Sequence, residues 1–105
     1  MNGGIIADRY ARAFYMFADR RGAADTVYGQ VRLLLSVMRH LPKFRKALEN
    51  MRAVPLGQRL ELLTSAVAPS PLCDEIESIY RMMDEKGRLE YFQLMMLDFL
   101  EIYMM

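Results

Sequence analysis

The segment from Ile5 to Arg21 carries two neighbouring apolar stripes, each at the spacing of an α-helix. The first stripe contains Ile6, Tyr10, Ala13 and Phe17, and the second contains Ala7, Ala11, Phe14 and Ala18. Two such stripes form an apolar arc that is wider than one neighbouring helix can cover. The pattern predicts a helix with one side in the core. The second side either faces a partner or is covered by the same domain.

Five further segments repeat apolar residues at helical spacing, and proline or glycine separates them. The predicted helices cover approximately residues 5–21, 23–40, 42–51, 56–67, 71–87 and 88–103. Ser70 is predicted to cap the fifth helix, with Pro71 in its first turn. Because no segment alternates like a β-strand and the connections are short, the sequence predicts an all-α, six-helix bundle that forms a single domain.

The composition fits one ordinary globular domain. A chain of 105 residues with 53% hydrophobic residues can bury a real core. The only cysteine, Cys73, rules out an internal disulfide and is compatible with a reducing cytosol. Charged residues interrupt every long apolar run, so the sequence predicts no insertion into a membrane.

Groups that could perform catalysis are few. His40 is the only histidine and lies among basic residues, and Cys73 has no histidine nearby in sequence to activate it. Asp84 and Glu85 are adjacent, so on a helix their side chains point about 100° apart. The sequence therefore indicates neither an enzyme nor a metal or cofactor site.

The charges are unevenly distributed although the net charge is only +1. Residues 32–59 contain seven basic residues and one acidic residue, whereas residues 74–101 contain eight acidic and three basic ones. The basic stretch from Arg39 to Arg52, which contains Phe44, is the best candidate for a nucleic-acid interface. The near-neutral total favours the other interpretation, a solvated basic face, and no nucleic-acid partner is expected.

Methionine is unusually abundant, with ten residues in the chain. Met82 and Met83 are adjacent on a predicted helix and cannot both face the same core. Methionine fills cores and also lines surfaces that accept a partner helix, so both roles are open for this pair.

Two segments resemble signatures of one known family. Residues 7–14, ADRYARAF, are similar to the A-x-x-Y-A-x-A-hydrophobic signature of the delta subunit of bacterial F-type ATP synthase, called the oligomycin-sensitivity-conferring protein in mitochondria. Residues 79–89, IYRMMDEKGRL, resemble its second signature, a helix ending in a polar residue, Gly, Arg and Leu. The resemblance covers residues 1–105 but only the family's N-terminal helical domain. It implies that the C-terminal, stalk-contacting domain is absent and that the chain is a truncated piece.

The resemblance implies a non-catalytic stator component, peripheral on the cytoplasmic face of the bacterial inner membrane. In the family, a groove between the first and fifth helices accepts the N-terminal helix of an alpha subunit. Other catalytic-head subunits, and the peripheral-stalk b subunit through the missing domain, are further implied partners. By motif position, and with Ile6 and Phe17 added from the first stripe, the groove residues are expected to be Ile6, Tyr10, Ala13, Phe14, Phe17, Ile79, Met82 and Met83. Arg88 is expected to close the turn after the fifth helix. A generic module that docks other amphipathic peptides is the remaining alternative.

Overall fold

The described part of the chain, residues 2–105 of a computed structural model, is built from helices joined by short connections. The prediction of an all-α, six-helix fold is confirmed, since residues 2–105 contain six α-helices and no strand. The helices are α1 (Asn2–Arg20), α2 (Ala24–His40), α3 (Pro42–Glu49), α4 (Leu56–Val67), α5 (Asp74–Glu85) and α6 (Phe92–Met104). A 3₁₀ turn, Leu89–Tyr91, precedes α6.

The second apolar stripe of α1 lies in the core. Ala7, Ala11, Phe14 and Ala18 are each at most 1% exposed. The three alanines allow α6 to pack closely along α1, and the rings of Phe14 and Phe99 approach to 4.9 Å between centroids. The α1–α6 contact is the most extensive in the fold, so the core is built around this pair.

A buried arginine joins α3, α4 and α5. The side chain of Arg59 is 3% exposed and donates hydrogen bonds to the carbonyl oxygen of Val54 at 2.8 Å and to the Tyr80 hydroxyl and the Asp84 carboxylate, both at 2.9 Å. The Tyr80 hydroxyl in turn donates to the carbonyl oxygen of Leu48. Because every buried polar group here has a partner, the cluster stabilises the packing of the three helices.

The start of α5 differs from the prediction, because the helix begins at Asp74 rather than at Pro71 and its N-cap residue is Cys73 rather than Ser70. Gln30, buried on α2, donates to the carbonyl oxygen of Pro71 at 2.8 Å and accepts from the backbone N–H of Cys73 at 2.9 Å. These two bonds hold the intervening residues outside the helix. Gly22 and Gly87 lie in the turns that follow α1 and α5, and both have the positive φ that glycine adopts without strain.

Two other predicted bounds are also wrong. Met51 lies beyond the end of α3 and is 42% exposed, so it does not extend the apolar edge of that helix. The sixth α-helix begins at Phe92, after the 3₁₀ turn, rather than at Arg88. None of the helices in residues 2–105 combines the length and apolarity that crossing a membrane requires.

Candidate helix-binding groove

Helices α1 and α5 run in opposite directions along one face of the domain. Where α1 ends, the Arg21 guanidinium donates a hydrogen bond of 2.6 Å to Glu75 in the first turn of α5. Where α1 begins, Ile6 lines the same hollow as Arg88, which follows α5. A groove lies between these two helices, and we call it the α1–α5 groove.

One half of the α1–α5 groove is apolar. It has a volume of about 280 Å³, and Ser78 is the one polar residue in its wall. Phe17, which lines this half, is 38% exposed. The Arg21 guanidinium lies 5.1 Å from the centroid of the Phe17 ring. The lining residues are Ala13, Phe14, Phe17, Ser78, Ile79 and Met82.

The other half of the groove is bordered by positive charge. It has a volume of about 340 Å³ and is lined by Ile6, Arg9, Tyr10, Ala13, Met82, Lys86 and Arg88. No acidic residue belongs to this lining, and Arg9, Lys86 and Arg88 form no ion pair with any residue of the described range 2–105. Ala13 and Met82 line both halves, so the groove is continuous.

The dimensions of the groove suit a short helix. From Ile6 to Phe17, α1 rises about 16 Å, which corresponds to roughly three helical turns. Ala13 is exposed at the middle of the groove, and its small side chain lets another backbone approach closely. One amphipathic helix can then cover Phe17 on the α1 side and the half-buried Met82 on the α5 side.

Seven of the eight expected groove residues line this groove. Ile6, Tyr10 and Met82 are half-buried, Ala13 and Phe17 are exposed, and Phe14 and Ile79 are mostly buried at its floor. Met83 is the exception, because its side chain is 0% exposed and lines neither half. One residue further along the helix, it points about 100° away from Met82 and into the core. It supports the α5 wall from behind.

Sequence reasoning missed several residues of the lining. Ser78 and Lys86 lie four residues before and after Met82, and Arg9 lies four residues before Ala13. This helical spacing was the signal that could have identified them. The expectation for Arg88 covered only part of its role: its backbone N–H donates to the carbonyl oxygen of Met83 at 2.8 Å and closes the turn, while the residue also lines the groove.

Groups outside the groove offer little chemistry. Burial raises the pKa of the Cys73 thiol, which disfavours the reactive thiolate. His40 donates from Nδ1 to the carbonyl oxygen of Ser36, one turn earlier on α2. Within residues 2–105 no group of His, Cys, Asp and Glu side chains is arranged to hold a metal ion. Phe44 is half-buried and packs against the core, which accounts for an aromatic residue in the basic stretch without a nucleic-acid role.

Comparison with known proteins decides the family. The family described as ATP synthase delta (OSCP) subunit matches residues 6–105, which is nearly the whole chain. The chain belongs to the ATP synthase delta (OSCP) family. Its two signature-like segments, residues 7–14 and 79–89, contribute most of the lining of the α1–α5 groove.

Curated relatives carry the name ATP synthase subunit delta. The chain is 29% identical to the protein from Phocaeicola vulgatus over 100 residues, covering 95% of this chain and 54% of the relative. It is 30% identical over 104 residues to the proteins from two strains of Bacteroides fragilis, covering 98% of this chain and 55% of each relative. The chain thus spans about half the length of these relatives of the delta (OSCP) family. No solved structure matches it.

Proposed function

We propose that residues 1–105 form the N-terminal helical domain of a non-catalytic stator subunit of F-type ATP synthase. In this proposal the domain docks on the catalytic head by accepting the N-terminal helix of an alpha subunit in the α1–α5 groove. One observation carries the proposal: in a member of the delta (OSCP) family, a continuous groove that is apolar along one half lies open between α1 and α5.

The role is mechanical. The catalytic head must be held still against the torque of the rotor, and a helix buried in an apolar groove gives a firm joint without covalent chemistry. The α1–α5 groove is largely preformed, because Met83 and Phe14 support it from the core and the Arg21–Glu75 ion pair joins one end of its two walls. A preformed site loses less free energy on binding than a site that must first become ordered.

The charges along the groove favour one orientation of the bound helix. Arg9, Lys86 and Arg88 border one half, whereas the other half is apolar. The C-terminal end of a helix carries partial negative charge, and acidic side chains near that end add to it. We therefore place the C-terminal end of the docked alpha helix beside these three residues, antiparallel to α1.

The wider assembly forms part of the same proposal. The curated relatives are almost twice as long as this chain. We assign contact with the peripheral-stalk b subunit to a second, C-terminal domain of such a subunit. Other head subunits would contact the helical domain, and the whole would lie peripherally on the cytoplasmic face of the bacterial inner membrane.

Titration of the ¹⁵N-labelled chain with the N-terminal peptide of the cognate alpha subunit tests the proposal. The expected result is a saturable change in the amide shifts of residues along the groove, including Tyr10 and Met82. An unrelated amphipathic peptide of equal length and charge serves as the control and should bind much more weakly. Equal binding of the two peptides would indicate a generic docking module, and unchanged groove shifts with the cognate peptide would refute the site.

A further inference from the structure

A second furrow, with leucines and polar side chains in its walls, lies between α2 and α6, and we call it the α2–α6 furrow. Its main hollow has a volume of about 470 Å³ and is lined by Arg32, Leu35, Ser36, Arg39, Gln93, Leu97 and Leu100. An adjoining hollow of about 360 Å³ shares Arg32 and Ser36 and extends the furrow to Leu33 and Tyr28. None of these residues lines the α1–α5 groove, so the two surfaces are separate.

The furrow exposes apolar surface because α6 is apolar on more than one side. Its core side contains Phe92, Met95, Met96 and Phe99, all at most 1% exposed. On the side of the furrow Leu97 remains 44% exposed, and Leu33 on α2, which lines the adjoining hollow, is 48% exposed. Exposed leucines on two packed helices are typical of a surface that another element covers.

Two arginines determine what kind of element that is. Arg32 and Arg39 are seven residues apart on α2, so their Cα atoms are separated by about 10.5 Å along one face of the helix. Neither forms an ion pair with any residue in the range 2–105, and no acidic residue lines the furrow. Arg32 also lies over the Tyr28 ring, 5.7 Å from its centroid, which restrains the guanidinium at the rim of the furrow.

We propose that the α2–α6 furrow binds an amphipathic helix of another polypeptide that carries two acidic residues seven positions apart beside a stripe of leucine-like residues. The apolar stripe would cover Leu35, Leu97 and Leu100, and the two carboxylates would pair with Arg32 and Arg39. Charged residues flank the apolar seam of a coiled coil with the same seven-residue spacing and select its partner. The inference is independent of the occupant of the α1–α5 groove.

A designed peptide tests this proposal directly. The probe is an amphipathic helix with glutamates seven residues apart beside a leucine stripe, and its matched control carries lysines in place of the glutamates. We expect the glutamate peptide to shift the amides of Leu35 and Leu97 and to leave those of the α1–α5 groove unchanged. Shifts confined to the α1–α5 groove, or none at all, would refute the furrow as a docking site.

Charge reversal gives the second test. In the double variant Arg32→Glu/Arg39→Glu both changes are at exposed positions, so the helical circular dichroism should be unchanged. The glutamate peptide should bind about tenfold more weakly to this variant, and the lysine peptide should bind more tightly to it than to the parent chain. If the parent chain binds the glutamate and the lysine peptide with equal affinity, the proposed charge pairing is wrong.

A dimer of this chain would also overturn the proposal. If sedimentation shows that the chain dimerises and that Leu97→Ser abolishes the dimer, the surface binds a second copy of the chain instead.

Discussion

Arg59 on α4 donates a hydrogen bond of 2.9 Å to the hydroxyl of Tyr80 on α5, and both side chains are almost completely buried. The same guanidinium pairs with Asp84 at 2.9 Å. The position of α5 relative to α4 therefore depends on a buried charge, and α5 is one wall of the α1–α5 groove.

Removal of the buried guanidinium should destabilise the domain. In Arg59→Met the Asp84 carboxylate loses its partner, and the carbonyl oxygen of Val54 and the Tyr80 hydroxyl each lose a donor. We expect the free energy of unfolding to fall by about 3 kcal/mol. Urea unfolding followed by circular dichroism measures the change. The control is Arg81→Met, which breaks an exposed ion pair with Glu77 on α5 and should cost less than about 0.5 kcal/mol. Similar losses in the two variants would contradict this account.

The Tyr80 hydroxyl should contribute less than the guanidinium. In Tyr80→Phe the carbonyl oxygen of Leu48 and the Arg59 guanidinium each lose one hydrogen bond, while the ring keeps its edge contact with Phe92. We expect a loss of about 1–2 kcal/mol in the free energy of unfolding. Tyr15→Phe is the matched control, since the Tyr15 hydroxyl has no hydrogen-bond partner among the described side chains and backbone groups, and it should change stability little. A larger loss in the control would contradict the prediction.

The ion pair between Arg21 and Glu75 should make stability depend on pH. The hydrogen bond from Arg21 lowers the pKa of Glu75 below its ordinary value of 4.5. A carboxylate with a depressed folded-state pKa contributes stability above its unfolded pKa, and that contribution is lost as the pH falls through the folded value. A double-mutant cycle with Arg21→Met and Glu75→Gln should therefore give a coupling energy that is present at neutral pH and shrinks below pH 4.5. A coupling energy that stays constant across this range would refute the assignment.

Local periodicity was sufficient to predict much of the fold. The two stripes of α1 lie on two different sides of the helix: the second is buried in the core, and the first lines the α1–α5 groove, whose wall Phe14 of the second stripe also reaches. The reason is that residues three and four apart share a helix face whatever the rest of the chain does. Gly22 and Gly87 were equally predictable, because a positive φ at a helix end is a local requirement.

Long-range contacts explain what the sequence could not predict. The start of α5 depends on Gln30, which lies about forty positions earlier in the chain and binds Pro71 and Cys73. In the sequence Arg59 is only one of the basic residues of the segment 32–59, because its partners Tyr80 and Asp84 are brought to it only when α4 and α5 take their places in the fold. Neither contact has a signal in local spacing.

The adjacent methionines show the same limit at the candidate site. Periodicity indicated that Met82 and Met83 face different surroundings, but not which of them faces the core. The structure places Met83 in the core and Met82 at the groove, because the packing of α5 against its neighbours fixes the rotation of the helix.

A charge at the centre of the groove should prevent docking of the alpha helix. Ala13 lines both halves of the α1–α5 groove and is exposed, so Ala13→Asp should leave the helical circular dichroism unchanged. We expect the affinity for the alpha peptide, measured by calorimetry, to fall by about a hundredfold or more, because the new carboxylate would be buried without a partner. Met16→Asp introduces the same charge on α1, at an exposed residue that lines neither half, and should bind almost as the parent chain does. Unchanged affinity in Ala13→Asp would rule out this groove.

The basic half of the groove should influence affinity through local charge. In Arg9→Glu/Lys86→Glu, two cations that border the groove become anions, and the C-terminal end of the docked alpha helix would lie beside them. We expect binding of the alpha peptide to weaken about tenfold at low salt, and the difference from the parent chain to shrink as salt is raised. The control Lys43→Glu/Arg52→Glu makes the same change in net charge at exposed positions outside the groove, so it should weaken binding much less. If calorimetry shows an equal loss of affinity for the alpha peptide in the two double variants, the total charge of the domain determines the affinity. The proposed orientation of the helix is then wrong.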